Sequence, residues 1–336
     1  MSQNSLALLE KIPHAKVLAT GDLILDRYIH GEALRLSPEA PVPVVVVRKK
    51  LHTPGGMGNV VMNLSALGAK PLACGLVGAD FKAEILKELL ADVLDPQSPG
   101  LLVDSSRPTT VKTRVIAGIQ QVTRLDEESI SPISPLLEER YKELIAPSIA
   151  LAGAISISDY GKGFLTPGIL AFLIDKAKSY DIPTIVDPKG TDYGRYRGAS
   201  LVTPNRQELS VALGRDLTRA QAQVLAEGGL ELMRRYEIEN ILITRSEDGM
   251  TLVESDGKIT HLPTRARAVF DVSGAGDTVV ATMAAAIAIG SGLYEAAFLA
   301  TLAAGVVVGK VGTASAKPEE IIEFLRISSL KQDLVS

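Results

Sequence analysis

The residues best placed to do chemistry stand near the C-terminal end of the chain, in the stretch "VFDVSGAGDTVVATMAAAIAIG" from 269 to 290. Gly274 and Gly276 leave backbone N–H groups open to an oxyanion, and the apolar helix expected to follow would aim its positive N-terminal end at the same point. Phosphate suits such a cradle. Asp277, in the first turn of that helix, has two readings: a complement to the helix dipole, or a base that removes a proton from an attacking hydroxyl. An acid beside an anion hole works against simple anion binding, so its presence points to phosphoryl transfer.

Two further clusters suit a polyhydroxylated ligand. In "TPGGMGNVVMNLSALGA" (53–69), Gly55 and Gly56 precede an amphipathic helix with Val61, Leu64 and Leu67 on its buried side and Asn59 and Asn63 one turn apart on another. An Asn side chain both donates and accepts, which serves adjacent hydroxyls, although the segment also reads as an ordinary helix start. In "GDLILD", Asp22 and Asp26 fall at the end of the first strand and in the following turn. Carboxylates accept from sugar hydroxyls; a metal is the competing reading, with no nearby histidine or third acid to complete its site. Neither G-x-x-x-x-G-K-[ST] nor a G-x-G-x-x-G after the first strand occurs.

These residues need a frame. From about residue 150, short apolar runs at 152–159, 182–187, 199–204 and 240–245 alternate with helical patterns near 167–180, 205–213 and 218–236. That alternation predicts a parallel sheet covered on both faces, whose ligands gather at the C-terminal strand ends. Asp159, Asp187, Asn205, Thr244 and Ser246 stand at those ends, where the plainer reading of each is a turn. Earlier in the chain, "PVPVVVVRKKLHTPGG" and "TVKTRVIAGIQQVTRLD" alternate apolar with polar residues. They predict antiparallel strands, turning at Gly118, in a small sheet that serves as a lid or a dimer surface.

Composition removes other classes. With 46% hydrophobic residues among 336, the chain can bury a large core, and its net charge of −4, evenly mixed, argues against nucleic acid or an anionic membrane as partner. A single cysteine, Cys74, leaves neither a disulfide framework nor a thiolate metal site. The N-terminus lacks the pattern of a secretory signal and the apolar run at 278–290 is too short for a membrane helix, so a cytoplasmic protein is expected.

Gly55-Gly56 with Asn59, followed much later by "DVSGAGDT", resembles the two signatures of the ribokinase-like, or phosphofructokinase-B, family of carbohydrate kinases. Ser273 stands where threonine is commoner in the second signature, and it keeps the hydroxyl. "GDLILDRY", "LSPEAPVPVV", "SDYGKG", "VDPKGTDYGRYRGASLVTPNRQE" and "TRSEDGM" resemble the branch of that family that acts on heptose 7-phosphate, over residues 16 to 327. The resemblance implies a three-layer α/β/α core with a mostly parallel sheet and a small projecting β-sheet lid, the lid strands drawn from about 22–54 and 108–126. It implies ATP-dependent phosphorylation of D-glycero-β-D-manno-heptose 7-phosphate at O1, a step toward ADP-heptose for lipopolysaccharide. The runner-up is another sugar or sugar-phosphate kinase of the same family.

By that resemblance Asp277 is the catalytic base, with Gly274, Ala275 and Gly276 stabilising charge on the moving phosphoryl group. Asp22, Asp26, Gly55, Gly56 and Asn59 hold sugar hydroxyls. Asn205 and Glu208, as the family's N-x-x-E element, order Mg2+ through water, while Thr244, Ser246 and Gly249 contact the nucleotide. ATP and Mg2+ are thus the expected cofactors, a monovalent cation is left open, and a homodimer through the lid is the expected partner. The substrate's own phosphate needs a cationic clamp; Lys162, Arg124 and Lys189 are the candidates, because arginine pairs bidentately with phosphate and lysine serves as a point charge. His14, His30, His52 and His261 form no H-x-G-H pattern, so a single kinase domain over residues 1–336, with no nucleotidyltransferase domain, is the expectation.

Overall fold

Successive residues of the first core strand serve opposite layers: Val17 and Ala19 join one apolar cluster and Leu18 joins another. That is the burial of a strand with helices on both faces. The computed structural model describes residues 2–265, 269–310 and 312–332. In chain order its strands are β1 (Lys16–Gly21), β2 (Leu23–Leu36), β3 (Pro43–Gly56), β4 (Lys70–Gly78), β5 (Gly100–Asp104), β6 (Val111–Ala117), β7 (Gln120–Glu127), β8 (Ala154–Ser158), β9 (Thr184–Asp187), β10 (Leu201–Val202), β11 (Ile241–Thr244), β12 (Met250–Val253) and β13 (Ile259–Leu262). Its helices are α1 (Ser2–Lys11), α2 (Met57–Ala66), α3 (Phe81–Ala91), α4 (Pro135–Ile149), α5 (Pro167–Ser179), α6 (Arg206–Leu213), α7 (Ala222–Tyr236), α8 (Ala275–Ala288), α9 (Leu293–Val307) and α10 (Pro318–Gln332).

The large sheet runs β13, β12, β11, β10, β9, β8, β1, β4, β5, with parallel pairings except β11 with β12 and β12 with β13 at one edge. Tyr141, Ile169, Leu209 and Leu225 bring α4 to α7 onto one face. Val60, Leu86, Val280 and Leu299 bring α2, α3, α8 and α9 onto the other. The three-layer α/β/α core is therefore as expected, and the strand and helix ranges beyond residue 150 lie within a few residues of those read from the pattern.

The second sheet has four strands in the order β3, β2, β6, β7. Its outer pairs are antiparallel, but β2 and β6 run parallel, which corrects the all-antiparallel expectation. Between β3 and β6 the chain crosses the body through α2, β4, α3 and β5, and a crossover of that length is what parallel pairing requires. A second correction concerns Asp26: it lies within β2, not in a turn, because β1 passes into β2 through the single residue Asp22. One strand direction thus carries an acid at the body's edge and another on the lid.

Helix α8 is buried from Asp277 to Ala286. Its alanines and threonines leave little bulk, so it packs closely against α2 and α9. Among the described residues no helix is long and apolar enough to cross a membrane. Cys74 is buried, and burial pushes its thiol up to about 12, which leaves it protonated and inert.

Candidate active site

Asp277 occupies the first turn of α8 and is 5% exposed. Its two oxygens have separate donors: Tyr160 gives its hydroxyl to Oδ1 at 2.7 Å, and Asn59 gives Nδ2 to Oδ2 at 2.8 Å. Asn59 is fixed in turn by Asn63, whose Nδ2 donates to the Asn59 carbonyl at 2.9 Å and to its Oδ1 at 3.2 Å. Thr278 closes the ring by donating to Asn63 Oδ1 at 2.9 Å. The two asparagines one turn apart on α2 therefore tie that helix to the start of α8. Burial raises the Asp277 carboxyl to about 6, against the opposing pull of the Asn59 and Tyr160 hydrogen bonds. Burial and the Asp277 charge hold the Tyr160 phenol far above its ordinary value, so it remains a donor.

Gly274 caps α8 in the left-handed region at φ 78°, and a Cβ there would sit 2.5 Å from Asn59 Nδ2. A side chain at this point would displace the group that holds the base. Gly276 faces open space. Of the three expected phosphate donors, Ala275 already gives its N–H to the Val272 carbonyl at 3.2 Å, whereas Gly276 lines both cavities described below. Asp271 frames the loop, accepting from Ser273 N at 2.9 Å and Gly312 N at 3.0 Å.

On the lid side of Asp277 lie the two acids of "GDLILD". Asp22 Oδ2 accepts from Tyr160 N at 2.8 Å and Lys162 N at 3.1 Å, while its buried Oδ1 has no partner among the described residues. Burial raises this carboxyl also to about 6, with the backbone donors of Lys162 and Tyr160 opposing. Asp26 pairs with Arg114, whose guanidinium lies 5.3 Å over the Tyr28 ring. A Cβ on Gly55 would stand 2.2 Å from Asp26 Oδ2, so the bare residue makes room for that carboxylate. This is a tighter reason for Gly55 than exposed backbone alone.

On the other side, two cavities adjoin along Asn205, Thr244, Gly276 and Val279. The smaller, about 210 Å³, is lined by Asp159, Tyr160, Asp187, Lys189 and Glu208. The larger, about 340 Å³, receives Ser246 and Gly249 from the end of β11 and apolar walls from Val272, Ala304 and Val308. Asn205 and Glu208 form a capping box at α6: Asn205 Oδ1 accepts from Glu208 N at 2.9 Å and Glu208 Oε2 accepts from Asn205 N at 3.0 Å. Asp187 is held well above the usual carboxylate range by burial and by the charges of Asp277 and Glu208. Carboxyl oxygens crowded this way suit a hard divalent cation. Among the described residues no group of three or more His, Cys, Asp or Glu side chains is placed to hold a metal ion.

The cationic candidates separate in space. Lys162 pairs with Glu128 at 2.7 Å on the lid side, and Arg124 makes a two-pronged contact with Asp126 at 2.9 and 3.0 Å. Lys189 instead reaches Glu208 at 3.3 Å and lines the smaller cavity. Tyr160 escaped the sequence reading although it stands inside the quoted "SDYGKG". Lys112 and Arg114 escaped it too, and their alternation in "TVKTRVI" was the available signal: residues two apart share one face of a strand.

The sequence pattern of the pfkB family of carbohydrate kinases matches residues 14–320. Bifunctional protein HldE of Paramagnetospirillum magneticum is 46% identical over 321 residues, 96% of this chain and 65% of that protein. Bifunctional protein HldE of Rhodospirillum rubrum is 44% identical over 94% of this chain and 63% of its own length. The chain thus spans a little under two thirds of these relatives. Among solved structures, Arabidopsis thaliana ribokinase complexed with ribose and ATP superposes with a TM-score of 0.73 at 18% identity, covering 93% of this chain and 98% of that one. Phosphofructokinase-2 from Escherichia coli in complex with potassium gives 0.74 at 19% identity, covering 94% and 99%. These two likenesses bear on the fold.

Proposed function

Because the chain belongs to the pfkB family of carbohydrate kinases, we propose that it transfers a phosphoryl group from ATP to O1 of D-glycero-β-D-manno-heptose 7-phosphate. The observation that carries this is the buried Asp277 carboxylate, held by Asn59 and Tyr160 where the lid-side acids meet the paired cavities. In this reading Asp277 accepts the proton of the attacking hydroxyl as the new O–P bond forms and the bond to the nucleotide breaks. The buried Asp22 Oδ1, which has no donor among the described residues, takes a sugar hydroxyl. Asn59 keeps the base aimed, and Gly276 N–H, in the first turn of α8, meets charge on the phosphoryl oxygens.

Asn205, Glu208 and Asp187 would hold Mg2+ through its waters. When bound, the ion neutralises charge on the nucleotide phosphates. Thr244, Ser246, Gly249 and the apolar wall of the larger cavity suit the nucleotide. Val46, Val47 and Leu51, exposed on β3, support a second copy as the partner of the lid.

The reading is tested by turnover across sugar phosphates. The heptose 7-phosphate is expected to exceed fructose 6-phosphate and free ribose in kcat/KM by roughly tenfold to a hundredfold, the scale set by mismatched polar groups in a built site. Better turnover of either competitor would replace the heptose with another sugar of this family.

A further inference from the structure

The small sheet presents one charged face to the body. Register sets Asp26 of β2 and Asp126 of β7 on either side of Lys112 in β6, and Tyr28 and Arg124 on either side of Arg114. Directly opposed residues, and residues two apart, point to the same face. That face looks toward Asp277, because the Lys112 ammonium lies 5.4 Å from the centre of the Tyr160 ring whose hydroxyl holds the base. The cation and the base thus touch the two parts of one phenol.

Three cations near this face have carboxylate partners. Arg114 has Asp26, Arg124 has Asp126 and Lys162 has Glu128. Lys112 has no ion pair among the described residues, although it is partly buried. Burial lowers its ammonium pKa, the Lys162 charge lowers it further, Asp26 opposes, and Arg124 and Asp126 follow. A partly desolvated cation beside two like charges is unfavourable unless an anion joins it. The Lys112 charge does reach Asp277, but both Asp277 oxygens already have donors in Asn59 and Tyr160, so the two form no direct ion pair.

We infer that Lys112, flanked by Lys162 and Arg124, binds the phosphate at the far end of the substrate and sets the preference for a phosphorylated over a free sugar. This rests on the sugar-phosphate reading above. Of the three cations expected for the clamp, it keeps Lys162 and Arg124 around Lys112, a lid lysine with no ion pair among the described residues, and leaves Lys189 to the nucleotide side.

The test is the ratio of kcat/KM for the sugar 7-phosphate to that for the unphosphorylated heptose, in wild type and Lys112→Met. The ratio is expected to fall by roughly tenfold to a hundredfold, as for loss of a hydrogen bond to a charged group. Lys112→Arg, which keeps the charge, should recover most of it. Equal loss on both sugars, or none on either, overturns the inference. A footprint on the wild-type protein needs no variant: millimolar inorganic phosphate should shield Lys112 from amine acylation while the exposed Lys49 and Lys50 still react. Acylation of Lys112 indifferent to phosphate counts equally against the clamp. If wild type prefers another sugar phosphate, the heptose reading fails alone, and the same ratio is then taken with that sugar.

Discussion

Asp277→Asn is expected to lower kcat by about a hundredfold to ten-thousandfold, the range over which a positioned base accelerates proton transfer. Nucleotide and sugar should still bind. The substitution conserves volume, but its one amide oxygen can accept from Tyr160 or from Asn59, not from both. Single-turnover rates together with equilibrium binding of ATP separate the two effects; a rate near wild type would remove Asp277 from the chemistry. The pH profile gives an independent check. The carboxyl must be ionised to take a proton, and burial has raised it to about 6, so wild-type kcat should fall as pH drops below that value. Tyr160→Phe removes a donor that favours the charged form and should move this limb upward.

The same shift bears on stability with a definite sign. The folded carboxyl holds its proton more tightly than the unfolded one, so its stabilising contribution is complete below the unfolded value of 3.8 and is lost as pH rises through about 6. Asp277→Asn lacks this loss. Its unfolding free energy should therefore gain on wild type between those two pH values, so that activity and stability move in opposite directions at one residue.

Gly274→Ala carries the second large effect. The left-handed backbone alone costs about 1 to 2 kcal/mol once a Cβ is present. The added carbon would also meet Asn59 Nδ2 at 2.5 Å and push the amide off Asp277. A displacement of this kind at a reacting group costs on the order of a hundredfold in rate. Gly290→Ala is the control. It stands at φ +81° just beyond the other end of the same helix, and a Cβ there has no neighbour within 4 Å. Both variants should lose stability in denaturant melts, Gly274→Ala the more because of its clash, and only Gly274→Ala should lose turnover. Equal activities in the two would mean that the position of Asn59 does not matter.

Much of the site is legible in the linear chain because its parts are local. Gly274, Gly276 and Asp277 share one helix start, and Asn205 and Glu208 share another, so spacing alone brings each set together. The strand ends that carry Asp187 and Thr244 follow from the apolar alternation of a parallel sheet. What stayed hidden depends on distant registers. Lys112 faces Asp26 only because a long crossover returns β6 alongside β2, and no local pattern states that pairing. Tyr160 acts at two places at once, its N–H on Asp22 and its hydroxyl on Asp277, across 138 and 117 residues. Gly55 looked like exposed backbone, whereas it is the vacancy that Asp26 needs.

The most direct test is the phosphorus NMR spectrum of the wild-type chain with ATP, Mg2+ and D-glycero-β-D-manno-heptose 7-phosphate. The predicted result is ADP in equal amount to a sugar that keeps its 7-phosphate resonance and gains a second phosphorus coupled to the anomeric proton. ADP with free phosphate and an unchanged sugar, or no consumption of ATP at all, would contradict it.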